Sequence, residues 1–167
     1  MGLAATLAVA APAHASSPAE SPDWATIDLL DEQNRSFRLD QSAQPLTLVT
    51  LWANWCGACL QELNTVEAIT PAIGADKLRV ILVSHPDDWS RNQAITRGRG
   101  LTLPTARPSD SNAPGLLHRA LLSADGTFYV PRSILFSRAT RQVVWSHTGR
   151  LDWRRADTLA HLRQFTG

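Results

Sequence analysis

Leu46-Thr47-Leu48-Val49-Thr50-Leu51-Trp52-Ala53-Asn54-Trp55-Cys56-Gly57-Ala58-Cys59-Leu60-Gln61-Glu62-Leu63 passes from an apolar, β-branched stretch through a tight Trp-Cys-Gly-Ala-Cys corner into a helical pattern. Few polar residues interrupt Leu46 to Ala53, as expected of a strand buried on both faces of a sheet. From Cys56 onward Leu60, Leu63, Val66 and Ile69 recur at three-residue spacing, which predicts a helix that Thr70-Pro71 ends or kinks. Both cysteines of the chain lie at the corner. A strand that delivers Cys-x-x-Cys to a helix start suits thiol–disulfide exchange, because the thiolate attacks and the unpaired N–H groups there favour negative charge. In that geometry Cys56 is the nucleophile and Cys59 the resolving thiol. The alternatives are a structural disulfide and half of a zinc site. A bridge across so short a loop constrains little, and zinc needs two more ligands, which five scattered His do not offer at ligand spacing.

Outward from this stretch the pattern is that of one α/β domain. Ala25 to Leu30 and Arg35 to Leu39 alternate around Asp31-Glu32-Gln33-Asn34 and predict an N-terminal β-hairpin. Leu78 to Val83 reads as a parallel central strand, and Asp87 or Asp88 as the cap of a helix from Trp89 to about Thr96. Leu103 to Pro114 is a Pro-rich loop with at most one short strand. A short helix over Pro114 to Leu122 and a turn at Ala124-Asp125-Gly126 follow. Strands Arg132 to Phe136 and Gln142 to His147 come next, then a helix from an Asp152 cap to Phe165 with Leu159, Leu162 and Phe165 facing inward. The result is a mixed central sheet flanked by helices.

Met1 to Ala15 reads as a signal peptide: Leu3 to Ala11 is apolar and Ala13-His14-Ala15 is a small-x-small cleavage site. A disordered Ala-rich tail is the alternative. The run is too short for a membrane anchor, which takes about 20 apolar residues. Residues 16–23 form a Ser/Pro-rich linker, and residues 24–167 the domain. Export places the cysteines in an oxidising, periplasmic compartment, where a closely spaced pair is redox-active or bridged. A net charge of +1 gives no reason to expect nucleic acid or an anionic membrane surface as partner.

Trp52-Ala53-Asn54-Trp55-Cys56-Gly57-Ala58-Cys59 resembles the active-site segment of thioredoxin-like proteins, and Leu60-Gln61-Glu62-Leu63 resembles its TlpA/ResA branch. The resemblance implies a thioredoxin-like fold with an inserted element between the cysteines and the later strands. It implies that Glu62 sits near the resolving cysteine and takes part in proton transfer; a solvent-facing helix residue is the alternative. Thioredoxins proper carry a buried Asp six residues before the first Cys, where this chain has Thr50, and Glu62 could serve instead with a pKa raised by desolvation. Ala58 replaces the usual Pro between the cysteines, and Asn64 replaces a common Pro of the branch. The family's cis-proline matches Pro131, immediately before an apolar strand, with Val130 as the residue whose backbone pairs with a substrate strand. An ordinary trans proline is the alternative, since only about 5% of X-Pro bonds are cis. Gly149-Arg150-Leu151-Asp152-Trp153 resembles the branch's closing stretch. Trp55 would shield the thiolate and offer an apolar docking surface; Trp52 and the remaining tryptophans read as packing.

The expectation is an exported protein-disulfide oxidoreductase without a cofactor or metal, acting as a monomer on protein thiols and disulfides. The branch resemblance favours reduction of specific proteins, as in cytochrome c maturation or at a copper-site thiol pair, with electrons from a membrane thiol donor. The competing readings are an oxidant that introduces disulfides and a copper(I)-delivery protein using the same two thiolates.

Overall fold

The computed structural model describes residues 27–85, 88–109 and 129–167. The leader, the linker, the Pro114-to-Leu122 helix and the Ala124-Asp125-Gly126 turn lie outside the described residues. The elements run β1 (Leu29–Asp31), β2 (Ser36–Phe37), β3 (Leu46–Trp52), α1 (Gly57–Leu63), α2 (Ile69–Ile73), β4 (Leu78–Ser84), α3 (Trp89–Gly98), β5 (Thr105–Pro108), β6 (Arg132–Ser137), β7 (Gln142–Thr148) and α4 (Ala156–Arg163). The strands form one mixed sheet in the order β2-β1-β5-β4-β3-β6-β7. β3 lies in its interior, parallel to β4 and antiparallel to β6. All seven of its residues are buried, so the unbroken apolar run is the mark of a strand covered on both faces.

Alternation along the strands divides the core in two. Leu48 and Trp52 of β3 pack with Leu63, Ile69 and Leu162 from the helices on one face. Val49 and Leu51 pack with Leu29, Ile81 and Phe136 on the other. No helix among the described residues is long and apolar enough to cross a membrane.

Three local expectations are corrected. The helix that begins after Cys56 stops at Leu63, a single 3-10 turn occupies Val66–Ala68, and α2 then starts at Ile69. Thr65 causes the break: its N–H and its hydroxyl both donate to the Glu62 carbonyl at 2.9 Å, and that hydroxyl also accepts from Trp153 N–H at 3.2 Å. Pro71 therefore does not end a helix but sits in the first turn of α2, where a missing N–H costs nothing. α2 ends instead at Gly74, whose φ of +107° an L side chain rarely adopts. The last helix is capped at Arg155 rather than Asp152, because Leu151-Asp152-Trp153 is held in a non-helical connection by contacts to Glu62 and Thr65. Elsewhere the hairpin, the strand over Leu78–Ser84 and the Asp88 cap of α3 agree with expectation; Asp88 Oδ1 accepts from Arg91 N–H at 2.9 Å.

Candidate active site

β3 and β4 are parallel, so the chain leaves both at the same edge of the sheet. β6 is antiparallel to β3, with Leu51 opposite Arg132, so the segment entering β6 starts at that edge. Three distant segments thus meet there: Ala53 to Cys59 after β3, His85 after β4, and Val130-Pro131 before β6. His85 N–H donates to the Trp52 carbonyl at 2.8 Å and fastens two of them together.

Cys56 and Cys59 form a disulfide with a Cα–Cα separation of 5.2 Å. Cys56 is the N-cap of α1, and its sulfur accepts from Cys59 N–H at 3.1 Å. It is the less buried of the two, 9% exposed against 1% for Cys59. The Val130–Pro131 peptide bond is cis. The Val130 carbonyl lies 3.6 Å from Cys56 Sγ. Trp55, directly before Cys56, is 59% exposed, whereas Trp52 is buried.

Glu62 lies one helical turn beyond Cys59 and is buried, which removes the solvent-facing alternative. Its carboxyl accepts from Trp153 Nε1 at 2.9 Å, Leu151 N–H at 3.2 Å and Ser133 Oγ at 3.5 Å. Burial pushes the Glu62 carboxyl above its usual range, while these donors and the Arg150 charge pull it partly back. A buried carboxyl with an elevated pKa is suited to holding or accepting a proton. Thr50 is buried with an unpartnered hydroxyl and lies opposite Ser133 in the β3–β6 register, so no acid occupies that position.

Trp153 does more than the packing that its sequence context predicts. It is fully buried, but its indole N–H is the shortest bond that Glu62 receives. Ser133 and the Leu151 backbone were not legible as Glu62 partners, because nothing local in their neighbourhoods signals a carboxylate. A buried tryptophan needing an acceptor for its N–H was the one available hint. Among the described residues no group of three or more His, Cys, Asp or Glu is placed to hold a metal ion.

No protein-family model matches the chain, and no curated protein matches it. Solved structures do. StoA from Bacillus subtilis shares 17% identity and a TM-score of 0.60 over 86% of this chain and 99% of its own. The thioredoxin domain of a thiol-disulfide oxidoreductase from Bacteroides vulgatus shares 15% identity and a TM-score of 0.67 over 88% of this chain and 98% of its own. A thioredoxin-related protein from Neisseria meningitidis serogroup B shares 17% identity and a TM-score of 0.65 over 82% and 98% respectively. The chain therefore has the thioredoxin-like fold expected from its cysteine segment.

Proposed function

We propose that this thioredoxin-fold chain is a thiol–disulfide oxidoreductase that acts on proteins. The observation that carries the reading is the unequal burial of its bridged cysteines, 9% against 1% exposed, at the edge where the cis-proline segment arrives. In the dithiol form the Cys56 thiolate attacks one sulfur of a substrate disulfide. A mixed disulfide forms and the other substrate sulfur leaves as a thiolate. Cys59 then loses its proton and attacks Cys56 Sγ, releasing the second substrate thiolate. Two electrons pass to the substrate, which leaves as two thiolates that take their protons from solvent, and the Cys56–Cys59 bridge is regenerated. Glu62 accepts the Cys59 proton, and the Val130 backbone aligns the substrate strand beside Cys56.

Reduction is the direction we favour, with electrons from a membrane thiol donor and periplasmic proteins such as apocytochrome c as substrates. The motif resemblance supports this reading, and the chain acts in it as an exported monomer. A Cys59→Ala variant is expected to accumulate a covalent adduct with a protein disulfide, whereas Cys56→Ala does not. Equal adducts from the two variants would overturn the assignment of roles. A reduction potential near about −120 mV, the value of a dedicated oxidant, would refute the reductive direction. Recovery of the chain from the cytosol with residues 1–15 still attached would refute export.

A further inference from the structure

Asn92 on α3 is 1% exposed, and its amide bonds at both its oxygen and its nitrogen, outside the redox pair. Its Nδ2 donates to the His85 carbonyl at 2.9 Å and to Ser84 Oγ at 3.0 Å. Its Oδ1 accepts from Asn54 Nδ2 at 2.9 Å. The orientation is determined by chemistry, since a carbonyl oxygen only accepts and so must face the NH2 end. One side chain therefore ties the residue two before Cys56 to the residue that follows β4. His85 in turn presents its ring to Trp55, with centroids 6.2 Å apart and planes inclined by 67°, an edge-to-face pair.

Trp55 is more than half exposed yet stands between two fastened points. Its chain neighbour Asn54 is held by the Asn92 amide, and its ring is met by a His85 whose backbone is held by that same amide and by the Trp52 carbonyl. An aromatic group fixed in this way presents a preformed surface and loses little rotamer freedom when something packs on it.

We propose that Asn92 is a positioning residue for substrate docking: it fixes Trp55 and His85 as an aromatic wedge beside Cys56, against which an apolar side chain flanking the substrate's cysteine packs. This rests on the reading of Cys56 as the attacking sulfur. The wedge adds selectivity to that chemistry, discriminating protein segments with an apolar neighbour from bare small disulfides.

The test compares the reduced protein with its Asn92→Ala and Asn92→Asp variants on two probes. One is hydroxyethyl disulfide, which has no apolar flank; the other is a disulfide-bridged peptide with Leu beside its cysteine. The ratio of the peptide rate constant to the hydroxyethyl disulfide rate constant is expected to fall about two- to tenfold in Asn92→Ala, the loss due for one immobilised side chain. Asn92→Asp is expected to fall as well, because a carboxylate oxygen would face the His85 carbonyl. If neither Asn92 variant folds, Asn54→Ala carries the same test and leaves the Ser84 and His85 bonds in place. A parental ratio in the folded variant overturns the proposal and leaves Asn92 a structural residue. Failure of the parent protein to react with either disulfide instead overturns the underlying oxidoreductase reading.

Discussion

Replacing Glu62 by Gln separates the charge of this buried group from its hydrogen bonds. Two donors approach different oxygens, Trp153 Nε1 at 2.9 Å to Oε1 and Leu151 N–H at 3.2 Å to Oε2. A Gln side chain offers one oxygen, so one donor would face an NH2 group, at a cost of about 1–3 kcal/mol at any pH. The charge acts differently. Burial raises the folded-state pKa above its ordinary value of 4.5, so the native chain binds the Glu62 proton more tightly than the unfolded chain does. Between those two values the parent loses stability as pH rises, by at most about 1.4 kcal/mol per pH unit, and above the folded value the loss is complete. The Gln variant has no such slope. Urea unfolding of both proteins with the disulfide intact, at a series of pH values from about 4 to about 8, reads the difference without thiol titration. Glu62→Gln is expected to be the less stable protein at the acid end, with the gap narrowing as pH rises and levelling off beyond the folded pKa. Stability curves that run parallel across the whole range would refute the claim that Glu62 is desolvated as a charge.

Trp153→Phe keeps most of the ring volume but removes the donor to Glu62 Oε1. It should move the descending part of the stability–pH curve to higher pH and cost about 1–3 kcal/mol where the carboxylate is ionised; an unmoved curve contradicts the bond. Phe136→Ala empties a fully buried site on the sheet face away from the cysteines. A loss of about 3–5 kcal/mol in urea unfolding is expected, with disulfide exchange at Cys56 retained in the folded fraction. Asp88→Ala removes the side-chain cap of α3 and should cost about 1 kcal/mol, and no change in the unfolding midpoint would show that the cap carries no weight.

Much of this architecture was legible because it is local. β3 declares itself by seven residues buried together, and the bracketing of Cys56 by a strand and a helix needs no long-range information. The cis-proline could be placed because Pro131 directly precedes an apolar strand. The break after Leu63 was not legible, since the three-residue spacing of Leu60, Leu63, Val66 and Ile69 suits a 3-10 turn as well as an α-helix. What interrupts the helix is a hydroxyl at Thr65 answering the backbone of Trp153, 88 positions away. The same distant segment took Asp152 out of its expected cap and turned a packing tryptophan into a carboxylate ligand. The Asn54–Asn92 bond, 38 positions apart, was hidden for the same reason. Side-chain pairs of this kind follow from the register of the sheet and the placement of helices on it, not from the spacing of residue types.

The anchors of Glu62 have a consequence for the order in which the site comes into being. Ser133, Leu151 and Trp153 lie 71, 89 and 91 positions after it. Both cysteines are in the chain once residue 59 is made, whereas the groups that orient the carboxyl are added only 71 to 91 positions after Glu62. Closing contacts over such separations is slow compared with forming α1. A growing chain therefore holds both cysteines before proton handling can be built around them. Assembly of the site waits on the segment that follows β7, which closes over Glu62.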